Sequence, residues 1–229
     1  MISAVPAVYD TYTKLMLHCD GADNGTVITD EMGHTITRVG DTCTKTAIKK
    51  FGTASLYFDG SEDYLSTPSN TDFAFGTGDF TIDFWIYKPA AGTVDWEEIL
   101  QTSDYNVDKG VLIQFNDLAG GRDRMSAIMG TGTTYETYRM TSSVDIPIAQ
   151  WVHIAVVRSG VNAYLFQNGT LVASLSNQSG ISYLSSTTVY VASSGVGDYV
   201  KCYLDEFRVS KGIARWTANF TPPTGPYPL

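Results

Sequence analysis

The stretch that decides the fold is Phe80–Tyr87, with the sequence FTIDFWIY. Its apolar residues recur at every second position, and successive side chains of a β-strand point to opposite faces of the sheet. One face would therefore carry Phe80, Ile82, Phe84 and Ile86, and the other Thr81, Asp83, Trp85 and Tyr87. The pattern predicts a strand with one face in a hydrophobic core.

A hairpin is predicted further along the chain. Ala163–Gln167 and Thr170–Leu175 are strand-like runs separated by Asn168-Gly169. Asn-Gly supplies the two positive φ angles of a type I′ turn, whose twist matches that of paired strands. Trp151–Arg158 is apolar over almost its whole length, which is typical of a strand covered on both faces.

Other short strand-like runs follow one another without a long helical segment between them. They are Val111–Phe115, Met125–Met129, Tyr135–Met140, Val189–Ala192 and Tyr199–Val209. The 14 Tyr, 10 Phe and 4 Trp also favour strands. We expect a single all-β domain over residues 1–229, a sandwich or barrel. An N-terminal arm (1–13) and an extended Pro-rich tail (217–229) would flank it, since proline cannot join a strand ladder.

Composition excludes several kinds of partner. The net charge of −9 disfavours nucleic acid and anionic lipid surfaces, and no apolar run is long enough to insert in a membrane. Three cysteines without a CxxC pair argue against a disulfide framework, although a Cys19–Cys43 bridge stays open. The first residues lack a basic segment followed by a long apolar one, so we expect no signal peptide and synthesis in the cytoplasm.

Three segments resemble a known family. They are Phe51–Gly60 (FGTASLYFDG), Gly78–Ile86 (GDFTIDFWI) and Leu204–Arg215 (LDEFRVSKGIAR). All three are similar to laminin G-like domains of the concanavalin A-like lectin/glucanase superfamily, which implies a two-sheet antiparallel jelly-roll sandwich. The last segment, with the Pro-rich tail behind it, is most similar to copies carried by bacteriophage tail and virion proteins. That resemblance implies a virion protein, in a homo-oligomeric assembly with other virion proteins.

The resemblance also implies a structural calcium ion between the first and the last strand. The matching positions are the side chains of Asp20 and Asp205 and a backbone carbonyl near Gly60. The apolar positions within Tyr199–Val209 change parity at Asp205-Glu206, where a β-bulge could re-aim a carboxylate. The alternative is that Asp205 caps or pairs locally, with Arg208 as one partner.

Catalytic carboxylates are not paired in the sequence. Retaining glycosidases use two carboxyl groups about 5 Å apart. Asp83 has no second acid two residues away, and the adjacent Glu97 and Glu98 would point to opposite faces of a strand. A glycoside hydrolase is therefore disfavoured, and we expect a protein that is not an enzyme. His153 lies inside an apolar run and is expected in the core.

Aromatic residues outside the core are the candidates for ligand binding. Sugar rings stack on aromatic faces while carboxylates accept their hydroxyls. The candidate set is Asp83, Trp85, Tyr87, Tyr135 and Tyr138. The alternative is that Trp85 and Tyr87 fill space under a loop or between sheets. We expect a non-enzymatic virion protein that binds cell-surface glycan, or else a decoration or cement protein that binds no sugar.

Overall fold

The computed structural model describes residues 10–92, 96–102, 109–117, 121–131, 138–176, 188–195 and 197–228. Within these ranges the chain forms fifteen strands and a 3-10 helix (Thr71–Phe73). The strands are β1 (Thr13–Leu17), β2 (Thr37–Val39), β3 (Cys43–Lys45), β4 (Ser55–Asp59), β5 (Tyr64–Thr67), β6 (Phe80–Tyr87), β7 (Glu97–Gln101), β8 (Lys109–Asp117), β9 (Gly121–Thr131), β10 (Arg139–Asp145), β11 (Trp151–Ser159), β12 (Asn162–Gln167), β13 (Thr170–Leu175), β14 (Val189–Val191) and β15 (Lys201–Lys211). No helix of the described ranges is long and apolar enough to cross a membrane.

The strands form two antiparallel sheets. Sheet A has the order β13-β12-β11-β6-β15-β4-β3, with β1 also paired to β15. Sheet B has the order β10-β9-β8-β7-β14-β5-β2. Side chains of both sheets share one hydrophobic cluster, so the core lies between them. The predicted two-sheet jelly-roll sandwich is confirmed.

Strand β6 has the predicted alternation. Its apolar face points into the core, where Phe84 stacks on Phe207 with ring centroids 5.2 Å apart, and Phe80 stacks on Phe75 at 4.5 Å. The opposite face is also covered along most of its length, because Thr81 and Asp83 are 0% exposed. Only Tyr87, at the end of the strand, stays half-exposed.

Strand β15 contains the predicted bulge. It pairs with β6 along both halves, and the register shifts between Asp205 and Arg208. On its other edge the first half pairs with β4 and the second half with β1. Glu206 takes a positive φ of 51° at the crossing. The bulge therefore lies where the neighbour of β15 changes, which explains the change of apolar parity.

The predicted Asn-Gly hairpin joins β12 and β13. Asn168 and Gly169 have φ values of 50° and 73°, as a type I′ turn requires. A Cβ atom on Gly169 would lie 1.9 Å from the carbonyl oxygen of Phe220. Glycine is thus required here both by its backbone angle and by the close approach of the C-terminal tail.

That tail, residues 217–228, is extended and carries no strand. It crosses the outer face of sheet A. Phe220 stacks on Trp216 with ring centroids 4.0 Å apart, and both rings pack against Ala155 and its neighbours in β11 and β12. Tyr227 near the chain end is only 4% exposed. The tail therefore covers the outer face of β11, whose inner face lies in the core. The apolar run Trp151–Arg158 predicted a strand covered on both faces.

One predicted strand is shifted. The run Tyr135–Met140 was expected to pair, but residues 132–137 lie outside the described ranges and Tyr138 stands in a turn. The strand observed there is β10, which begins at Arg139.

Candidate functional site

Asp83 is a buried structural residue rather than a surface contact. Both of its carboxylate oxygens accept hydrogen bonds from Arg208, at 3.0 Å from Nε and 2.9 Å from Nη2. The Tyr227 hydroxyl also donates to it. Desolvation opposes its charge, but Arg208 and His153 hold the pKa of Asp83 well below its ordinary value. The expectation that Asp83 contacts a ligand conflicts with this geometry, because the side chain is 0% exposed and its oxygens are occupied.

His153 belongs to the same network. It is 0% exposed, and its Nε2 lies 3.1 Å from the Tyr227 hydroxyl oxygen. The prediction of a core histidine is confirmed.

Trp85 is covered by a neighbouring loop. Lys50 Nζ lies 3.9 Å from the centroid of the Trp85 ring, and the Phe51 ring meets it edge-on at 5.8 Å. Only 5% of Trp85 is exposed. The sequence analysis left two interpretations of Trp85, a ligand contact or a side chain that fills space under a loop. The structure agrees with the second.

Tyr87, in contrast, belongs to a row of half-exposed aromatic rings on the outer face of sheet A. Register places it beside Tyr203 on β15 and Trp151 on β11, and Tyr203 beside Tyr57 on β4. Neighbouring ring centroids are 4.7 Å apart for Tyr57 and Tyr203, and 5.7 Å apart for the next two pairs. We call these four residues (Tyr57, Tyr203, Tyr87 and Trp151) the ring row; each is partly open to solvent.

An open cavity of about 370 Å³ adjoins the Tyr57 end of the ring row. Polar and charged side chains line it: Asn24, Arg38, Asp41, Lys45, Asp59 and Asp63. Lys45 Nζ lies 5.9 Å from the Tyr57 ring centroid. Desolvation, and then the charges of Asp59 and Asp63, raise the pKa of the Tyr57 hydroxyl, so this tyrosine stays neutral and able to donate a hydrogen bond.

The other predicted ligand residues do not join the ring row. Tyr138 packs against the core beside β9, where its carbonyl oxygen accepts from Met129 N at 2.9 Å. Tyr135 lies outside the described residues. The ring row was missed in the sequence because its members come from four strands that are distant along the chain.

Asp205 has one oxygen paired and one free. Its Oδ2 accepts from the backbone N–H groups of Lys50 and Phe51 at 2.7 and 3.1 Å, while Oδ1 is buried without a partner. Desolvation is the main cause that raises the pKa of Asp205 to about 7, and the nearby Glu206 and Asp20 carboxylates add to it. The proposed local pairing with Arg208 is wrong, because Arg208 is bound to Asp83.

Asp20 and Asp205 could share a hard cation, but Gly60 could not contribute. Asp20 Oδ1 accepts from Ala54 N at 3.2 Å and from Thr53, which leaves its other oxygen open. The Asp20 charge contributes to the raised pKa of Asp205, and carboxylate oxygens without a hydrogen-bond donor are the ligands that Ca²⁺ uses. Leu56 pairs with Leu204, so Asp205 is level with Ser55 at the start of β4, whereas Gly60 follows the last residue of β4, five residues or about 16 Å further along the chain. No group of three or more His, Cys, Asp or Glu is placed to hold a metal within the described part of the chain.

The adjacent acids of β7 point to opposite faces, as predicted. Glu97 is opposite the core residue Phe115 and forms an ion pair with Lys88. Glu98 is opposite Gln114 on the outer face of sheet B, and it is 2% exposed with Oε2 unpartnered. Desolvation and then the Asp198 charge raise the pKa of Glu98 to about 8.

The burial of the Glu98 carboxylate predicts that an uncharged side chain at this position increases the stability of the fold. The folded-state pKa of Glu98 lies above its unfolded value, so the stability it contributes is present at low pH and is lost as the pH rises towards 8. We expect Glu98→Gln to raise the free energy of unfolding by about 1–3 kcal/mol at pH 9 and to change it little at pH 5. Urea unfolding at the two pH values measures this. Glu97→Gln is the matched control and should destabilise, because it breaks the Lys88 pair; a Glu98→Gln variant that is weaker than wild type at pH 9 would contradict the prediction.

Comparison with known proteins agrees with the architecture. The model of a laminin G-type family, described as the concanavalin A-like lectin/glucanases superfamily, matches residues 54–215. No curated protein sequence matches the chain. Among solved structures, the binding domain of Paraclostridial Mosquitocidal Protein 1 superposes with a TM-score of 0.67 at 15% identity, over 88% of this chain and 49% of that one.

Botulinum neurotoxin binding domains are similar in the same way. The serotype G domain gives a TM-score of 0.65 at 14% identity, over 87% of this chain and 48% of that one. The binding domain of botulinum neurotoxin DC, solved in complex with SialylT, gives a TM-score of 0.63 at 14% identity, over 89% of this chain and 49% of that one. The chain thus spans about half the length of each structure, and identities this low show a common fold alone. These neighbours are binding domains rather than catalytic ones. The family match covers well over half of the residues, and the chain belongs to the concanavalin A-like lectin/glucanases superfamily.

Proposed function

We propose that the chain is a non-enzymatic, glycan-binding module of a bacteriophage virion that attaches the particle to its host cell. The observation that carries the glycan-binding part is the ring row. Each of its tyrosine and tryptophan rings is partly exposed, and exposed aromatic surface can pack against the apolar faces of sugars. The polar cavity beside Tyr57 supplies hydrogen-bonding groups at one end.

The structural neighbours support binding rather than catalysis. One of them, the binding domain of botulinum neurotoxin DC, was solved in complex with SialylT. In the described part of this chain, Asp83 is neutralised by Arg208, and Glu97 and Glu98 lie on opposite faces of their strand. Neither arrangement supplies the two facing carboxyl groups that a retaining glycosidase needs.

The virion assignment rests on the resemblance of Leu204–Arg215 and the tail to phage tail and virion proteins. Incorporation into particles together with the absence of sugar binding would favour the alternative, a decoration or cement protein.

A paired-variant experiment tests glycan binding. We expect Tyr87→Ala/Tyr203→Ala to lower affinity for the bound glycan about tenfold or more, because two stacking rings are lost from the centre of the ring row. The matched control is Tyr64→Ala/Tyr190→Ala, which removes two neighbouring half-exposed rings from sheet B. Both proteins and wild type are compared on a glycan array, with circular dichroism as a check of folding. Equal binding by all three proteins, or no binding by wild type, would reject the proposal.

We also propose that Asp20 and Asp205 hold a structural calcium ion, which would supply the missing partner of Asp205 Oδ1. Calcium in hundredfold excess over its Kd should stabilise the fold by about 2–3 kcal/mol. Because protons compete for Asp205, whose pKa is about 7, the stabilisation should be larger at pH 8 than at pH 6.

Thermal unfolding with calcium or with chelator measures this effect. Asp205→Asn should remove the calcium-dependent rise in Tm, whereas Asp41→Asn, which changes an exposed carboxylate, should keep it. A rise of the same size in Asp205→Asn would place the ion elsewhere.

A further inference from the structure

We infer that the ring row binds an internal stretch of a linear, uncharged polysaccharide, and not a terminal or acidic sugar. The inference rests on the proposed glycan-binding function and deepens it, because it states the class and the direction of the ligand. It follows from the length of the ring row, its open ends, its flanks and its charge.

The length of the ring row suits several sugar rings. Its four members occupy the neighbouring strands β11, β6, β15 and β4. At the usual strand spacing of about 4.8 Å, the row is about 14 Å long. This length matches about three consecutive hexose rings of a linear chain. A chain lying on it would run across the strands, perpendicular to their direction.

In the part of the chain that the structure describes, neither end of the ring row is closed by a strand. Strand β12 pairs with β11 only from Ile154 onwards, so no residue of β12 is opposite Trp151. At the other end Tyr57 is opposite Cys43, a small side chain on the edge strand β3, and the open cavity follows. A terminal sugar is normally held in a pocket that encloses it, whereas a surface open at both ends lets a chain continue past it.

The two long sides of the ring row differ. On one side the loop with Lys50 and Phe51 covers Trp85, which lies two residues from Tyr87 on the same face of β6. On the other side Asp59 and Lys201 are paired across β4 and β15, both exposed. They share a face with Tyr57 and Tyr203, because they lie two residues away on the same strands. Asp59 and Lys201 are thus placed to meet the hydroxyl groups along one edge of a bound chain.

The charge along the ring row favours a neutral ligand. Its four side chains are uncharged, and the flanking Asp59 and Lys201 have opposite signs. In the cavity, Asp41, Asp59 and Asp63 outnumber the cations Arg38 and Lys45. The whole chain has a net charge of −9, which repels anionic polymers.

The test is a chain-length series. The probes are glucose (β1–4) and N-acetylglucosamine oligomers of two to six rings, with sialyllactose as the acidic, terminal-type sugar, measured by isothermal titration calorimetry. We expect affinity for at least one neutral series to rise from two to about three rings and then to level off, with sialyllactose bound most weakly. Trp151→Ala and Tyr57→Ala, which shorten the row at either end, should each lower affinity for the six-ring oligomer about fivefold and for the disaccharide much less.

Four results would overturn the inference. Affinity independent of length, or tighter binding of sialyllactose, rejects an internal neutral chain while the glycan-binding function stands. Absence of binding to both neutral series rejects it as well, and the glycan array then decides separately whether the chain binds sugar at all. A dimer in solution that Tyr87→Ala dissociates would show that a second copy of the chain, rather than sugar, covers the ring row.

Discussion

Replacing Asp83 by alanine is expected to lower the free energy of unfolding by about 3–5 kcal/mol. The change leaves Arg208 buried without its counter-ion, and breaking a buried pair on one side costs this much because the other charge stays desolvated. It also removes the acceptor of the Tyr227 hydroxyl. The two bonds from Arg208, at 3.0 and 2.9 Å, show that the pair is bidentate. Urea unfolding at pH 7 measures the loss.

The stability from Asp83 should also depend on pH. The folded-state pKa of Asp83 is lowered, so its contribution is present above the unfolded value of about 4 and is lost as the pH falls below it. Asp59→Ala, which removes an exposed carboxylate, is the control and should change stability by less than about 1 kcal/mol. An Asp83→Ala protein that is as stable as wild type but no longer binds glycan would contradict the structural role. It would show that Asp83 contacts the ligand, as the sequence analysis predicted.

Replacing Tyr227 by alanine should cost about 3–5 kcal/mol, because a buried aromatic ring is removed. Arg208 lies 3.9 Å from the centroid of this ring, and the Tyr227 backbone N–H donates to Glu206 at 2.8 Å. The ring therefore fastens the tail over the outer face of sheet A. Its loss should release the tail and expose apolar surface on β11 and β12, which binding of a hydrophobic dye would report alongside urea unfolding.

Tyr227→Phe separates the hydroxyl from the ring. It keeps the packing and removes only the hydrogen bonds to Asp83 and His153, so the expected cost is about 1–3 kcal/mol. If Tyr227→Ala were no more destabilising than Tyr227→Phe, the packing of the tail would contribute nothing, contrary to the 4% exposure of this side chain.

Local patterns predicted the fold well because they report local geometry. The alternation in Phe80–Tyr87, the Asn168-Gly169 turn and the parity change at Asp205-Glu206 each occupy a few residues, and each was found in the structure. The resemblance of the Leu204–Arg215 segment then indicated the correct superfamily.

The candidate site was harder to predict because it depends on strand order and register. Arg208 and Tyr227 are 125 and 144 residues from Asp83 along the chain, so the sequence did not show that they are its partners. In the structure both carboxylate oxygens of Asp83 accept hydrogen bonds from these two residues. Gly60 was misplaced because its distance from Asp205 follows from the pairing of β4 with β15. Of the ring row, only Tyr87 was a candidate ligand residue. Tyr57, Trp151 and Tyr203 lie in segments that the sequence analysis identified, but their common position depends on the order and register of the strands.

The central claim is that the ring row is the surface on which glycan binds. NMR chemical-shift mapping during titration with a glycan selected on the array tests it most directly. We predict that the aromatic signals of Tyr57, Tyr87, Trp151 and Tyr203 shift in a saturable manner, while those of Tyr64 and Tyr190 on sheet B stay in place. Saturable shifts confined to sheet B, with the ring row unchanged, would contradict the claim.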